Sequence, residues 1–174
     1  PVYGDLQVTN GHVVGTGDPQ GTGTAHAQPV GADLEVTIDA LLGADYNEVT
    51  AILRMESPNN LVGSYLLQWV TDGRYAAQGG ITGPTLQIWR VDAGPSFALI
   101  AESSLPNHGE RTLTFGANGS TLYIAEGSTV HLSHTDSTYA TGDYFALGQS
   151  NLSGSTPSQI DNLRWRTLTG VQAT

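Results

Sequence analysis

From Leu34 to Asp39 the chain alternates without a fault: Leu34-Glu35-Val36-Thr37-Ile38-Asp39. A period of two sends Leu34, Val36 and Ile38 to one side of an extended backbone and Glu35, Thr37 and Asp39 to the other. The pattern recurs with Val49, Ala51, Leu53 and Met55 on one face, and again at Leu86-Gln87-Ile88 and Arg111-Thr112-Leu113-Thr114-Phe115. Between these runs stand Gly, Pro, Asn and Asp, at roughly 8–12-residue spacing, which is the pattern of an all-β domain. Asn118-Gly119 separates two alternating runs and predicts a hairpin, because both positions tolerate positive φ. Ile38 to Met55 holds enough Ala and Leu to compete as a helix, but Gly43 interrupts it and period two fits its second half better. Asp136-Ser137-Thr138-Tyr139 predicts one short turn with Asp136 capping it.

The expected architecture is a two-sheet antiparallel β-sandwich, a jelly roll, built as one domain over residues 1–174. The Gly- and Pro-rich stretch of about 15–31 is expected to be an irregular loop, and 148–158 a polar one. Neither repeats nor a linker divide the chain. At 174 residues the chain can bury a core without staples.

Composition then narrows the function. Cys is absent, so there is no disulfide framework, thiolate metal site or Cys nucleophile. The formal net charge is −10, and the six basic residues, all Arg, form no cluster. That excludes nucleic acid and an anionic membrane surface as partners, since both require clustered cations. No apolar run approaches ~18 residues, so no membrane insertion is expected. Only 13% of residues are charged, against about 25% in an ordinary domain. Polar surface must come from Thr, Ser, Asn, Gln and Gly, and no Lys guards the sheet edges. Loops, Pro or neighbouring copies are expected to shelter those edges. The first residues carry no charged n-region and no apolar h-region, compatible with a trimmed export signal or with no export by that route.

Four segments together resemble the concanavalin A-like (laminin-G-like) jelly roll. They are an early strand, Val8-Thr9-Asn10-Gly11-His12-Val13-Val14; a central strand from Val49 to Glu56, carrying Arg54 and followed by Pro58-Asn59-Asn60 and the strand Ser64 to Val70; the hairpin from Leu113 to Gly127; and a closing run from Thr135 to Leu147, ending at Ile160-Asp161-Asn162-Leu163. The resemblance implies a lectin, a glycan-binding module, a glycoside hydrolase or a structural module, the last including phage tail and decoration proteins. It also implies a structural Ca²⁺ held near the last strand. Asp161 stands at the matching position, with Asp33 or Asp5 as partner and loop carbonyls completing the site. No other cofactor is expected.

Hydrolase chemistry finds little support in the residues. Glycosidases of this fold resemble one another in a Glu-x-Asp-x-(x)-Glu strand, and no such segment occurs. The nearest carboxylate pairs are Glu35 with Asp39 and Asp45 with Glu48. No Gly-x-Ser-x-Gly elbow or phosphate loop is present. His131 and His134 point to opposite faces of a strand, so they do not share a metal. A glycan platform would use aromatic rings, and Trp69, Trp89, Tyr65 and Tyr123 are the candidates, set against core packing as the commoner fate of such rings. Trp89 falls on the face opposite Leu86 and Ile88, while Trp165 shares parity with Leu163 and Asp161. Arg54, in mid-strand, needs a carboxylate partner.

These observations lead to the expectation of a non-enzymatic virion or cell-surface structural module, with weak glycan affinity and with copies of itself or other surface proteins as partners. The alternative is a secreted carbohydrate-binding module or lectin, and the third reading is an atypical glycoside hydrolase. The expected location is a virion surface or the extracellular space.

Overall fold

The computed structural model describes residues 6–9, 12–15, 22–25, 29–42, 47–58, 60–71, 83–94, 96–105, 109–151 and 158–168. Asp5, Asp45, Arg74, His26 and His108 lie outside the described residues. Thirteen strands are described: β1 (Leu6–Thr9), β2 (His12–Gly15), β3 (Thr22–Ala25), β4 (Leu34–Leu42), β5 (Asn47–Met55), β6 (Ser64–Val70), β7 (Thr85–Asp92), β8 (Ser96–Ser104), β9 (Gly109–Asn118), β10 (Thr121–Glu126), β11 (Thr129–Thr135), β12 (Tyr144–Asn151) and β13 (Gln159–Thr167). They form a seven-stranded sheet, β1-β2-β13-β4-β9-β10-β11, and a six-stranded sheet, β3-β12-β5-β6-β7-β8. All pairings are antiparallel. The chain crosses between the sheets repeatedly, as a jelly roll does, and no helix occurs among the described residues.

The alternation seen in the sequence becomes the core. On β4, Leu34, Val36, Ile38, Ala40 and Leu42 are buried while the residues between them are half-exposed. They meet Val49, Ala51, Leu53, Leu67, Leu86, Ile88 and Phe145 of the other sheet in one cluster. Each Val, Leu, Ile or Phe among them contributes about 1.5–3 kcal/mol when fully buried. Strand β5 differs, because it is buried on both faces along its whole length. The helical competitor over 38–55 loses to this pairing: β4 binds β9 and β13, and β5 binds β6 and β12.

Four local expectations are corrected. The segment Val8 to Val14 is a hairpin of two strands, with Thr9 opposite His12 and Asn10-Gly11 between them. The stretch 15–31 contains strand β3, whose Thr-Gly-Thr-Ala sequence hides its pairing with β12. The strand that precedes the polar stretch 148–158 runs on to Asn151, and 152–157 lie outside the described residues. The β9–β10 turn falls one residue later than expected. Asn118 pairs with Thr121, and Gly119, at φ +55°, opens the two-residue loop. At 136–139 there is a bend, and the Asp136 carboxylate accepts the backbone N–H of Thr138 at 2.7 Å.

Candidate functional site

Two of the expected aromatic platforms face inward. Trp69 and Tyr65 lie on the side of β6 that meets the other sheet, and both are wholly buried. A ring with no exposed surface cannot stack on a sugar, so their role is packing. The Arg111 guanidinium approaches the Trp69 ring at 5.8 Å. Tyr65 donates its hydroxyl to Asp136 at 2.9 Å.

Trp89 projects from the outer face of the six-stranded sheet, opposite Leu86 and Ile88 as expected, yet only 5% of it is exposed. Its N–H donates to Gln87 at 3.0 Å. Gln87 belongs to a row of outward residues in register across four strands, Thr50, Gln68, Gln87 and Glu102. Gln68 donates to Thr50 at 3.0 Å. Thr50, Gln68 and Gln87 are buried.

The two calcium candidates are far apart. Asp161 pairs with Asp39 at one end of β4, whereas Asp33 directly precedes the other end. Six extended residues separate them, about 20 Å. Asp33 is engaged instead with the Arg54 guanidinium at 3.0 Å and the Gly119 N–H at 2.9 Å. Asp161 accepts the N–H of Asn162 at 2.7 Å, in a bulge where Asn162 takes φ +50°. One ion cannot be shared by Asp33 and Asp161, and no group of three potential ligands gathers among the described residues.

Tyr123 is placed differently from the other candidates. Its neighbours Leu122 and Ile124 point into the core, so it stands on the outer face of the seven-stranded sheet. There a cleft of about 470 Å³ runs across β13, β4, β9, β10 and β11. Glu35 and Thr37 of β4, Thr114 of β9, Tyr123 of β10, and Arg164 and Arg166 of β13 line it. Trp165, 46% exposed, carries its side chain on the other face of β13, because it pairs with the inward Val36. Register accounts for the arrangement: Thr37 faces Arg164 and Thr114, Glu35 faces Arg166 and Gly116, and Gly116 faces Tyr123.

Glu35 is the hub of this cleft. Its two carboxylate oxygens accept one hydrogen bond from the Tyr123 hydroxyl and one from the Arg166 Nε. Burial pushes its carboxyl up, but the hydrogen bonds from Arg166 and Tyr123 outweigh that and hold it below its usual range. Burial, and then the Glu35 carboxylate, raise the Tyr123 phenol, so it stays a neutral donor. Gly116 makes the geometry feasible, since a Cβ there would lie 2.2 Å from Tyr123 Cζ. The Tyr123 ring thus lies flat over a bare backbone. Thr37 and Thr114 share a hydrogen bond of 2.9 Å on the cleft floor. The Trp165 ring packs instead between the sheets against Phe145 of β12, with centroids 5.9 Å apart.

Glu35 and Asp39 therefore share a face, as the alternation required, but only Glu35 belongs to the cleft. Asp39 accepts from Thr112 at 2.6 Å and Asn162 at 2.7 Å, which hold it below its usual range. Arg164 and Arg166 were not among the expected ligand residues. Their signal in the sequence was the run Arg164-Trp165-Arg166, two cations on one face of a strand in a chain poor in charge.

No protein-family model matches the chain, and no curated protein matches it. Its fold does match solved structures. A Bacillus subtilis protein of unknown function with a galectin-like fold aligns at TM-score 0.67 and 11% identity, covering 96% of this chain and 88% of that one. The carbohydrate-binding module CBM66 of Bacillus subtilis aligns at TM-score 0.65 and 15% identity, covering 95% and 92%. A glycoside hydrolase family 16 endo-glucanase from Bacteroides ovatus aligns at TM-score 0.59 and 7% identity, covering 89% and 85%. The chain is a two-sheet β-sandwich of the concanavalin A-like jelly-roll type.

Proposed function

We propose that this chain is a carbohydrate-binding module that holds a glycan in the cleft on the outer face of its seven-stranded sheet. The observation that carries this reading is the Tyr123–Glu35–Arg166 hydrogen-bonded chain, with the Tyr123 ring laid over Gly116 on the cleft face. Sugars present apolar C–H faces together with hydroxyls. The Tyr123 ring suits the first, and fixed planar groups with Thr hydroxyls suit the second. The carbohydrate-binding and lectin-like names among the structural neighbours add support. Such a module would act outside the cell or at a surface, where glycans are met. The virion role expected from the jelly-roll resemblance, the missing catalytic constellation and the neutral-polar surface gains nothing from these neighbours and yields to this alternative.

Binding is favoured over hydrolysis by the carboxylates. Glycosidases need two, one of them a general acid with a raised pKa. Glu35 is the one carboxylate among the described lining residues, and it is held below its usual range. Asp39 lies four residues along β4, about 13 Å away, and is lowered as well.

The test is binding to an oligosaccharide panel by wild type, Tyr123→Ala and Glu35→Gln. Saturable binding weakened at least tenfold by Tyr123→Ala is expected, with unchanged far-ultraviolet circular dichroism. No glycan binding by wild type, or binding indifferent to both changes, would remove the cleft from consideration.

A further inference from the structure

The chain carries sixteen acidic and six basic residues, and the described arginines are almost all neutralised locally. Arg54 binds Asp33, Arg90 binds Asp92 and Asp136, Arg111 binds Glu126, and Arg166 binds Glu35. Arg164 is the exception among the described residues: it is exposed, lines the cleft, and has no hydrogen-bonded carboxylate. Asp39 exerts a Coulomb pull on it from farther along the same face, but Thr112 and Asn162 already occupy Asp39.

Charge inside the cleft is therefore opposite to that of the whole molecule. Its lining holds two guanidiniums, Arg164 and Arg166, and one carboxylate, Glu35, a formal balance of 2 − 1 = +1. The neighbouring depression on the same sheet face is acidic, with Asp39, Glu110 and Asp161 against Arg111 alone. Register sets Arg164 directly opposite Thr37, whose hydroxyl is bonded to Thr114. A planar guanidinium beside a hydroxyl pair is suited to bidentate capture of an oxyanion.

Resting on the glycan-binding reading, we propose that the cleft selects an acidic sugar, with Arg164 anchoring a single carboxylate or sulfate while Tyr123 supports the ring. One isolated charge fits better than a polyanion, because the net charge of −10 repels extended acidic chains.

The experiment uses neutral oligosaccharides, the same oligosaccharides capped by one sialic or glucuronic acid, and the same carrying one sulfate. Binding is measured by titration calorimetry for wild type and Arg164→Gln, with thermal melts to confirm folding. The capped forms are expected to bind roughly tenfold more tightly than their parents, the scale of one charge-assisted contact. The carboxylate and sulfate arms identify which oxyanion is preferred. Arg164→Gln is expected to abolish the preference, so that each capped form binds it no more tightly than its neutral parent. Equal binding of neutral and acidic forms, or a preference that survives Arg164→Gln, overturns the inference but leaves glycan binding standing. Absence of binding to every member overturns both.

Discussion

Arg54 is only 1% exposed, in a strand otherwise built for the core. It takes φ +59°, which turns its side chain inward directly after the inward Leu53. The guanidinium donates to the carbonyls of Ala32 at 3.1 Å, Tyr139 at 3.2 Å and Gly119, and to Asp33 at 3.0 Å. One cation thus clamps three segments distant in sequence. Gly142 belongs to the same clamp, because a Cβ on it would lie 1.9 Å from the Arg54 carbonyl oxygen. Removing a partner from a buried ion pair costs about 3–5 kcal/mol. Arg54→Met is expected to destabilise the fold by that amount, read as a lowered urea midpoint at unchanged slope. Arg54→Lys should recover only part of it, since an ammonium cannot reach four acceptors in one plane. A midpoint unchanged by Arg54→Met would show that the clamp contributes nothing. The sequence exposed the need for a partner, because a charge in an apolar alternation must be neutralised. It did not identify Asp33, which comes from the opposite sheet and was read as a calcium ligand. Nor could parity foresee the bulge at Leu53–Arg54 that sends two successive side chains the same way.

At the level of elements, the segment from Asp136 to Asp143 is held to β6 and β7 by polar groups. Tyr65 donates to Asp136 and accepts the Tyr139 N–H at 3.0 Å. Arg90 bridges Asp92 and Asp136, and the Tyr139 hydroxyl donates to Asp92 at 2.8 Å. Burial pushes the Asp136 carboxyl up, but hydrogen bonds from Thr138, Tyr65 and Arg90 carry it far below its ordinary range. Arg90 and then Tyr139 lower Asp92. Carboxyls with depressed native pKa values contribute stability above their ordinary range, near pH 4, and lose it as pH falls. Tyr65 has the opposite sign. Burial pushes its phenol up to about 12, so its contribution is intact below pH 10 and is lost as pH rises through about 12. Tyr65→Phe is expected to cost about 1–2 kcal/mol at pH 7 and to flatten the alkaline limb of urea midpoints measured from pH 3 to 12. An alkaline limb identical to wild type would refute this role. The strands of this network were legible from their alternation. The network was not, because Tyr65 read equally well as a ring for stacking, and only the crossing of 136–143 over β6 reveals its hydroxyl partner. The cleft shows the same division. Glu35, Thr37 and Tyr123 were each assignable to an outer face, but their neighbours depend on β13 pairing with β4 across more than a hundred residues.

Across the whole molecule, the sheet edges are arranged so that β8 lies against β11 and β1 against β3. Each of these edge strands pairs with one described strand, and no Lys guards its free side. The acidic composition has a separate consequence. Sixteen carboxylates against six guanidiniums leave a self-repulsion that the four ion-paired arginines described cannot cancel. Salt screens this repulsion between exposed charges over about 10 Å at 0.1 M, while the buried Arg54–Asp33 contact is screened much less. The surface pairs lose strength in the same range, yet exposed pairs contribute little individually. Repulsion therefore dominates the sign, and stability is expected to rise with NaCl between 10 and 300 mM. A gain of about 1 kcal/mol would raise Tm by about 2–4 °C for a chain of this size. Calorimetric melts at pH 7, with sucrose as an uncharged control, decide the matter. A Tm that stays level or falls with NaCl would mean that the ion pairs outweigh the excess negative charge. The same scan on Glu56→Gln, which reduces the charge to −9, should begin from a higher Tm at 10 mM salt and converge on wild type at 300 mM. Glu56 is exposed and, among the described residues, accepts only the Thr141 hydroxyl, at 3.1 Å, a bond an amide oxygen can keep. Convergence separates long-range repulsion from any local contact, because a lost contact would persist at high salt.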